Sequence, residues 1–583
     1  MPEYLAPGVY VEETSFRAKS IEGVGTSTTA FVGPTRKGPY RVDVNSPESP
    51  ELLTSYGDFE RIYGGFADLA LGAGVPATNY LAHAVQAFFN EGGSRLYVSR
   101  VVGAAAAAAT VQVLAGTDEG VHFRARSPGA VGNGRVVLRE VLIPASETAL
   151  NNCPNGSLVR TAGGMHVKVG ATWVPAADLA GTPVTQASLL ADTPRLLTLS
   201  GLAVDGDGNA LAYEDMGVSS LHPRWIGYVL AAAPSRRSDH LQNLYAIDIG
   251  AGVSPAELLA GLFAAGAANS AGQMERTWVL AGGLDGGQPT AANYALALSE
   301  IGSLEDVSIV AAPGSSAYSV DSADNPQAIA SVLIAHAEGR RAYRIAVLDA
   351  QPDQMPTEAR TYRGLFDSKY AAMYYPWVVV SNPLARPGRE DIAKEIALPP
   401  SGFMAGIYAR NDTFRGVHKA PANEVVRGAL RFETDVNFAQ QEMLNPAGVN
   451  CLRFFSGRGN RVWGARLISS DPEWKYVSDR RYFNYLEASI YRSTQWAVFE
   501  PNGERLWANV RQTVADFLYN EWRSGALLGS SVEEAFFVRC DRSTMTQNDL
   551  DNGRLICLIG VAIIKPAEFV IFRIGQKTAD ARE

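Results

Sequence analysis

The chain has 583 residues, of which 46% are hydrophobic and 19% charged, with a formal net charge of −9. That balance implies a soluble globular protein of about three to four domains, and the interleaving of Lys and Arg with Asp and Glu makes nucleic acid an unexpected partner. No window approaches the ~20 uncharged apolar residues of a membrane-spanning helix. Met1–Thr14 carries Glu3, Glu12 and Glu13 and no basic leader, so neither export nor membrane insertion is expected. The four cysteines, Cys153, Cys451, Cys540 and Cys557, form no CxxC pair, which argues against a zinc knuckle or a disulfide scaffold and fits synthesis in a reducing cytoplasm.

Residues 1–22 read as an arm. In Tyr4-Leu-Ala-Pro-Gly-Val-Tyr-Val-Glu-Glu13, Val9 and Val11 share a face and Pro7-Gly8 forbids a helix, giving a strand with nothing local to pair with. Residues 23–103 read as the first part of an α/β domain: a strand from Thr28 to Gly33, a helix with Leu81, Val85, Phe88 and Phe89 on one face, its stop at Gly92-Gly93, and a strand from Arg95 to Val102.

Composition changes at the alanine run Ala104–Ala109, and 104–233 reads as an inserted β-rich outer domain of short strands broken by Gly, Pro and Asn. Residues 234–390 return to α/β grammar. Ser254-Pro255 with Glu257, and Asn325-Pro326, open helices; Val307–Ala312, Ile345–Leu348 and Trp377–Val380 are buried-strand runs of a parallel layer. Residues 391–583 are dense in aromatics and Arg, and contain an amphipathic helix over about Gly503–Ser524 and an apolar strand over Leu558–Ile564. After the break Lys565-Pro566 comes a second strand, in which Phe569, Ile571 and Arg573 oppose Val570, Phe572 and Ile574. No repeat of fixed period is evident.

Candidate chemistry is thin. Asp205-Gly-Asp-Gly-Asn209 starts like a calcium loop but has Ala210 where Gly is needed and Met216 where a bidentate Glu is needed; a tight turn is the plainer reading. Ala312-Pro-Gly-Ser-Ser316 lacks a nucleophile elbow, the glycine pairs match no phosphate-loop spacing, and His336-Ala-Glu338 does not continue into HExxH. No catalytic, cofactor-binding or metal-binding residue is expected, and the chain reads as no enzyme.

An ordered series of short motifs runs through the C-terminal third: Pro399-Pro-Ser-Gly-Phe-Met-Ala-Gly-Ile-Tyr408, Asp412-Thr-Phe-Arg-Gly-Val-His-Lys-Ala-Pro-Ala-Asn423, Leu444-Asn-Pro-Ala-Gly-Val-Asn450, Val462-Trp-Gly-Ala-Arg466 and Trp474-Lys-Tyr-Val477 with Arg480-Arg481. It continues through Phe499-Glu-Pro-Asn502, Gly525-Ala-Leu-Leu-Gly529 and Lys565-Pro-Ala-Glu-Phe569, and at the N-terminus through Ala6-Pro-Gly-Val-Tyr-Val-Glu12 and Thr29-Ala-Phe-Val-Gly-Pro34. In this order the motifs resemble the contractile tail-sheath family of myophage tails, R-type bacteriocins and extracellular contractile injection systems.

The resemblance implies a multidomain α/β and α+β protein. Its C-terminal α+β sheath domain would be completed by strands of neighbouring subunits, beside a central α/β domain and the inserted β-rich domain. It further implies stacked six-membered rings around an inner tube, contraction that drives the tube through a target envelope, and baseplate and terminal cap proteins as partners, with assembly in the cytoplasm and no cofactor. The strands exchanged between subunits would be Gly8, Val9, Tyr10, Val11 and Glu12 at one end and Phe569, Val570, Ile571, Phe572, Arg573 and Ile574 at the other. Sequence grammar by itself favours pairing within the chain, because most strands pair locally; the resemblance reverses that preference. A reading of another class is a carbohydrate-binding or carbohydrate-processing module in residues 104–233.

Overall fold

The computed structural model describes residues 20–42, 50–72, 76–116, 120–269, 273–318 and 325–574. The described chain divides into two compact units. One comprises residues up to Thr26, Asn411–Pro421 and the chain from Asp471; the other comprises Ser27–Arg410 and Ala422–Ser470.

The larger unit is organised by an eight-stranded sheet ordered Leu52–Leu53, Leu96–Arg100, Thr29–Gly33, Ile309–Ala311, Ile345–Asp349, Ala371–Tyr375, Val449–Phe455 and Gly459–Trp463. All neighbours from Leu96 to Val449 run parallel, and both edge strands are antiparallel. Parallel strands covered on both faces need continuous apolar runs, and Ile345–Asp349 and Ala371–Tyr375 are buried throughout. The helix expected before Gly92 spans Tyr80–Glu91, capped by the Asn79 side chain and ended by Gly92 at φ 112°, a left-handed conformation that glycine adopts without a Cβ penalty.

A second helix, Pro400–Arg415, starts on the carboxylate of buried Asp349, which accepts from the Ser401 N–H and from Ser401 Oγ, both at 2.6 Å. Its early turns lie against the Tyr80–Glu91 helix because two glycines permit it. A Cβ at Gly402 would stand 2.7 Å from Ala84 Cα, and one at Gly406 would stand 2.5 Å from the Phe88 carbonyl oxygen. That close approach gives a physical reason for Gly402-Phe-Met-Ala-Gly406 within the Pro399–Tyr408 motif.

Tyr245–Ile249 and Met274–Val279, which the sequence does not single out as strands, pair antiparallel with Val121–Ala125 and Arg135–Pro144 of the β-rich region. Val378–Ser381, from the Trp377–Val380 run expected in the parallel layer, instead pairs antiparallel with Glu395–Leu398 and Arg431–Phe432. The strand that does occupy the parallel layer there, Ala371–Tyr375, was not expected. Apolar runs specify that a strand is buried but not which ladder it joins.

The smaller unit packs the amphipathic helix Glu504–Arg523, with Leu506, Val510, Val514, Phe517 and Leu518 buried, against the helix Val477–Ser493 and a two-stranded antiparallel sheet of Phe536–Arg539 with Leu558–Val561. Period-2 alternation sends Phe536, Val538, Ile559 and Val561 to that core, while Phe537 and Leu558 face outward and are exposed.

Candidate assembly surface

The expected arm residues Gly8, Val9, Tyr10, Val11 and Glu12 lie outside the described residues. Phe569, Val570, Ile571, Phe572, Arg573 and Ile574 are described, and they form no ladder with any described residue. Both faces of this segment are open: Ile571 is 78% exposed and Phe572 84%, and Phe569, Val570 and Ile574 are exposed as well. Five large apolar residues out of six, all exposed, make this segment a candidate interaction surface.

This segment is tethered immediately upstream. Glu568 accepts a hydrogen bond from the Tyr476 hydroxyl at 2.8 Å and pairs with Lys475 Nζ at 3.3 Å, at the start of the Val477–Ser493 helix. Nearby Asp479 is pushed up to about 6 by burial, with the positive charge of Lys565 pulling the other way.

The first described residues are fixed to the same helix. Ile21 is buried among Val417, Tyr482 and Leu486; the Glu22 and Val24 N–H groups donate to Ser493 Oγ and Ser489 Oγ at 3.3 and 3.1 Å. Thr26 Oγ1 donates to Asp412 at 2.6 Å, and Arg481 spans both, donating to Asp412 at 2.8 and 2.6 Å and to the Thr26 carbonyl at 3.0 Å. Arg481 and Asp412 are almost fully buried, so this is a desolvated ion pair whose remaining donors and acceptors are occupied, the condition under which a buried pair is tolerated. A Cβ at Gly23 would fall 2.3 Å from the Tyr485 hydroxyl, so the chain at this point runs flush against the helix. These anchors run along the helix from Ser493 back to Arg481, so Glu22 is held roughly 25 Å from the Tyr476 tether at 1.5 Å per residue.

The Phe536–Arg539 and Leu558–Val561 sheet has two strands only, and no described strand covers the outer edge of either; Leu527 and Leu528 bridge the second just past its end, at Ile563 and Ala562. Edge N–H and C=O groups without ladder partners are a template for an added strand. The unit therefore combines a tethered apolar segment that joins no ladder with a short sheet whose outer edges carry no described strand.

The residues examined for chemistry form structural contacts. Asp205 accepts from the N–H groups of Asp207 and Asn209 at 3.0 and 2.8 Å, and its carboxylate and that of Asp207 face Lys37 and Arg36, which makes the segment an Asx-type turn closed by cations and not a calcium loop. Ser315 Oγ donates to the Ala312 carbonyl at 2.8 Å. A cavity of about 10 Å³ beside Ser315, Ser316 and Asp349 has room for a single water. Among the described residues no His, Cys, Asp and Glu cluster could hold a metal ion, and no helix is long and apolar enough to cross a membrane.

Residues 287–466 match the phage tail sheath protein central domain, and residues 469–577 match the phage tail sheath C-terminal domain. The chain belongs to the phage tail-sheath family and is a structural protein of the contractile-sheath class. A prophage major tail sheath protein of Pseudomonas aeruginosa strain UCBPP-PA14 is 27% identical over 272 residues, which cover 46% of this chain and 64% of that protein. The tail sheath protein of Enterobacteria phage T4 is 24% identical over 177 residues, 30% of this chain and 26% of that one. The aligned regions thus span less than two thirds of these relatives.

Two solved structures resemble the fold across nearly the whole chain. The contracted sheath complex of an extracellular contractile injection system, PVC, aligns with a TM-score of 0.53 at 20% identity, covering 99% of each chain. The contracted helical sheath of the anti-feeding prophage gives 0.53 at 20% identity, covering 98% of this chain and all of that one.

Proposed function

We propose that this chain is the subunit of a contractile sheath. Copies stack as six-membered rings around an inner tube, bounded by baseplate and terminal cap proteins, and contraction drives the tube through a target envelope. Assembly takes place in the cytoplasm, and the work is mechanical, with no enzymatic step and no cofactor.

The observation that carries the reading is the tethered apolar segment Phe569–Ile574, which joins no ladder, in the same unit as a two-stranded sheet whose outer edges carry no described strand. An extended arm leaves every backbone N–H and C=O without a partner, and a neighbour's sheet edge satisfies both while burying alternate side chains. In this reading Gly8–Glu12 of one neighbour and Phe569–Ile574 of another extend the Phe536–Arg539 and Leu558–Val561 sheet. Links of this kind survive large rigid-body motion where the connectors that lead to them turn while the strands stay paired. Shortening releases free energy if the extended lattice is a higher-energy state held kinetically, with additional inter-subunit surface buried on contraction.

The test is polymerisation. Purified protein forms rings or long tubes visible by negative-stain microscopy, and the double variant Val9→Pro, Val11→Pro, which removes two ladder donors, forms far fewer while keeping its thermal unfolding. Tube yield unchanged in that variant contradicts the arm reading. No observation among the described residues favours a carbohydrate-binding or carbohydrate-processing module in 104–233.

A further inference from the structure

Cys540 follows the strand Phe536–Arg539 directly, and Cys557 precedes Leu558–Val561 directly. The register of that hairpin pairs Phe536 with Val561 and Arg539 with Leu558, so one step further along the same ladder Cys540 stands opposite Cys557. The Ala562 N–H donates to the Ala535 carbonyl at 2.8 Å, which marks that pair as hydrogen-bonded. Alternation along an antiparallel ladder then makes the 540–557 position a non-hydrogen-bonded one, where opposed Cα atoms approach to about 4.5 Å. A disulfide requires roughly 4.4–6.8 Å.

Both side chains share the inward face with Val538 and Ile559 and belong to the same core. Each thiol perturbs the ionisation of the other, as opposed neighbours would. They are unbridged. Burial pushes the Cys557 thiol up to about 12 and raises that of Cys540, so the dithiol is a poor nucleophile and persists in a reducing environment. Neither Cys153 nor Cys451 has such an opposed partner among the described residues.

We propose that Cys540 and Cys557 form a redox-convertible disulfide site, reduced as synthesised and closed by a low-molecular-weight disulfide. The half-buried Cys557 loses its proton and attacks that disulfide, releasing one small thiol. Cys540 loses its proton in turn and displaces the second small thiol from Cys557 sulfur. Two S–H bonds give one S–S bond, and one small disulfide is reduced to two thiols. Closure ties down the segment between the cysteines, including the short helix Gln547–Asp551, and fixes one end of the hairpin, with an upward shift in melting temperature on the order of 5–10 °C. This inference rests on the hairpin register and holds whether or not the chain ends exchange between subunits.

The experiment treats the folded full-length chain with oxidised glutathione and maps its thiols by mass spectrometry. The expected result is a peptide pair joined through Cys540 and Cys557, loss of two hydrogen atoms in mass, a raised melting temperature, and reversal of both by dithiothreitol. C557S loses the link and the shift, and the double variant C153S, C451S keeps them. Free thiols at both 540 and 557 under conditions that modify Cys153 overturn the proposal. So does a stable glutathione adduct on Cys557 that Cys540 never displaces, or a link that forms only in denaturant.

Discussion

Replacing Ile571 by Asp separates a role in assembly from a role in the subunit's own fold. Ile571 is 78% exposed and touches no described strand, so in the isolated chain the change falls in the surface class, within about 0.5 kcal/mol of neutral. If the segment adds to a neighbour's sheet, the same position passes from water into an apolar ladder. Losing an isoleucine there costs about 1.5–3 kcal/mol per link before any penalty for desolvating the new carboxylate. At about 1.4 kcal/mol per factor of ten, each link weakens by at least ~10-fold and by ~100-fold at the upper end. The assay is the critical concentration for sedimentable tubes, measured beside thermal unfolding of the unassembled chain. The expected outcome is a critical concentration raised by at least about an order of magnitude with an unchanged unfolding midpoint. An unchanged critical concentration, or a midpoint that falls in step with assembly, refutes the reasoning.

Three further outcomes follow from the interior. Gly406→Ala pushes a methyl group into the Phe88 carbonyl and is expected to lower stability by about 1–3 kcal/mol in urea unfolding. Asp412→Ala strands the buried Arg481 guanidinium and releases Thr26; a loss of about 3–5 kcal/mol is expected, together with faster proteolysis near residues 20–26. Asp349 is raised from 3.8 to about 7 by burial, with the Ser401 hydrogen bonds opposing, so the folded state holds a proton that the unfolded chain has released. Its contribution is full below pH 3.8 and is lost as pH rises through about 7, a swing of roughly 4 kcal/mol at most. Asp349→Asn should therefore flatten the fall in stability between pH 5 and pH 8 seen in denaturant titrations, and an unaltered slope contradicts the assignment.

The parts of the fold legible in the sequence are those governed by local rules. Tyr80–Glu91, Pro255–Leu262 and Glu504–Arg523 declare themselves by apolar periodicity and by their flanking Asn79 and Gly92, Ser254 and Glu257, or Gly503. The partners of Tyr245–Ile249, Met274–Val279 and Val378–Ser381 were not legible, because ladder choice is tertiary and nothing in a six-residue window encodes it. Ala371–Tyr375 escaped because a short run of Ala-Ala-Met-Tyr-Tyr is equally at home in a helix. Gly402 and Gly406 are conspicuous in the text, yet their purpose needs the opposing helix to be known.

For the assembly surface, the alternating residues of Phe569–Ile574 were readable, whereas the anchors were not. Glu568 to Tyr476, and Thr26 to Asp412 and Arg481, join positions far apart in sequence. The opposed cysteines were hidden for a related reason: their separation excludes a CxxC motif, and only the hairpin register brings them together.

The most direct measurement is an atomic map of the assembled tube, traced through residues 8–12 and 569–574 of adjacent copies. The account predicts that these segments lie as added strands against Phe536–Arg539 and Leu558–Val561 of other subunits, with Val9, Val11 and Ile571 covered. Segments that pair within their own chain, or that stay in solvent while the tube remains intact, contradict it.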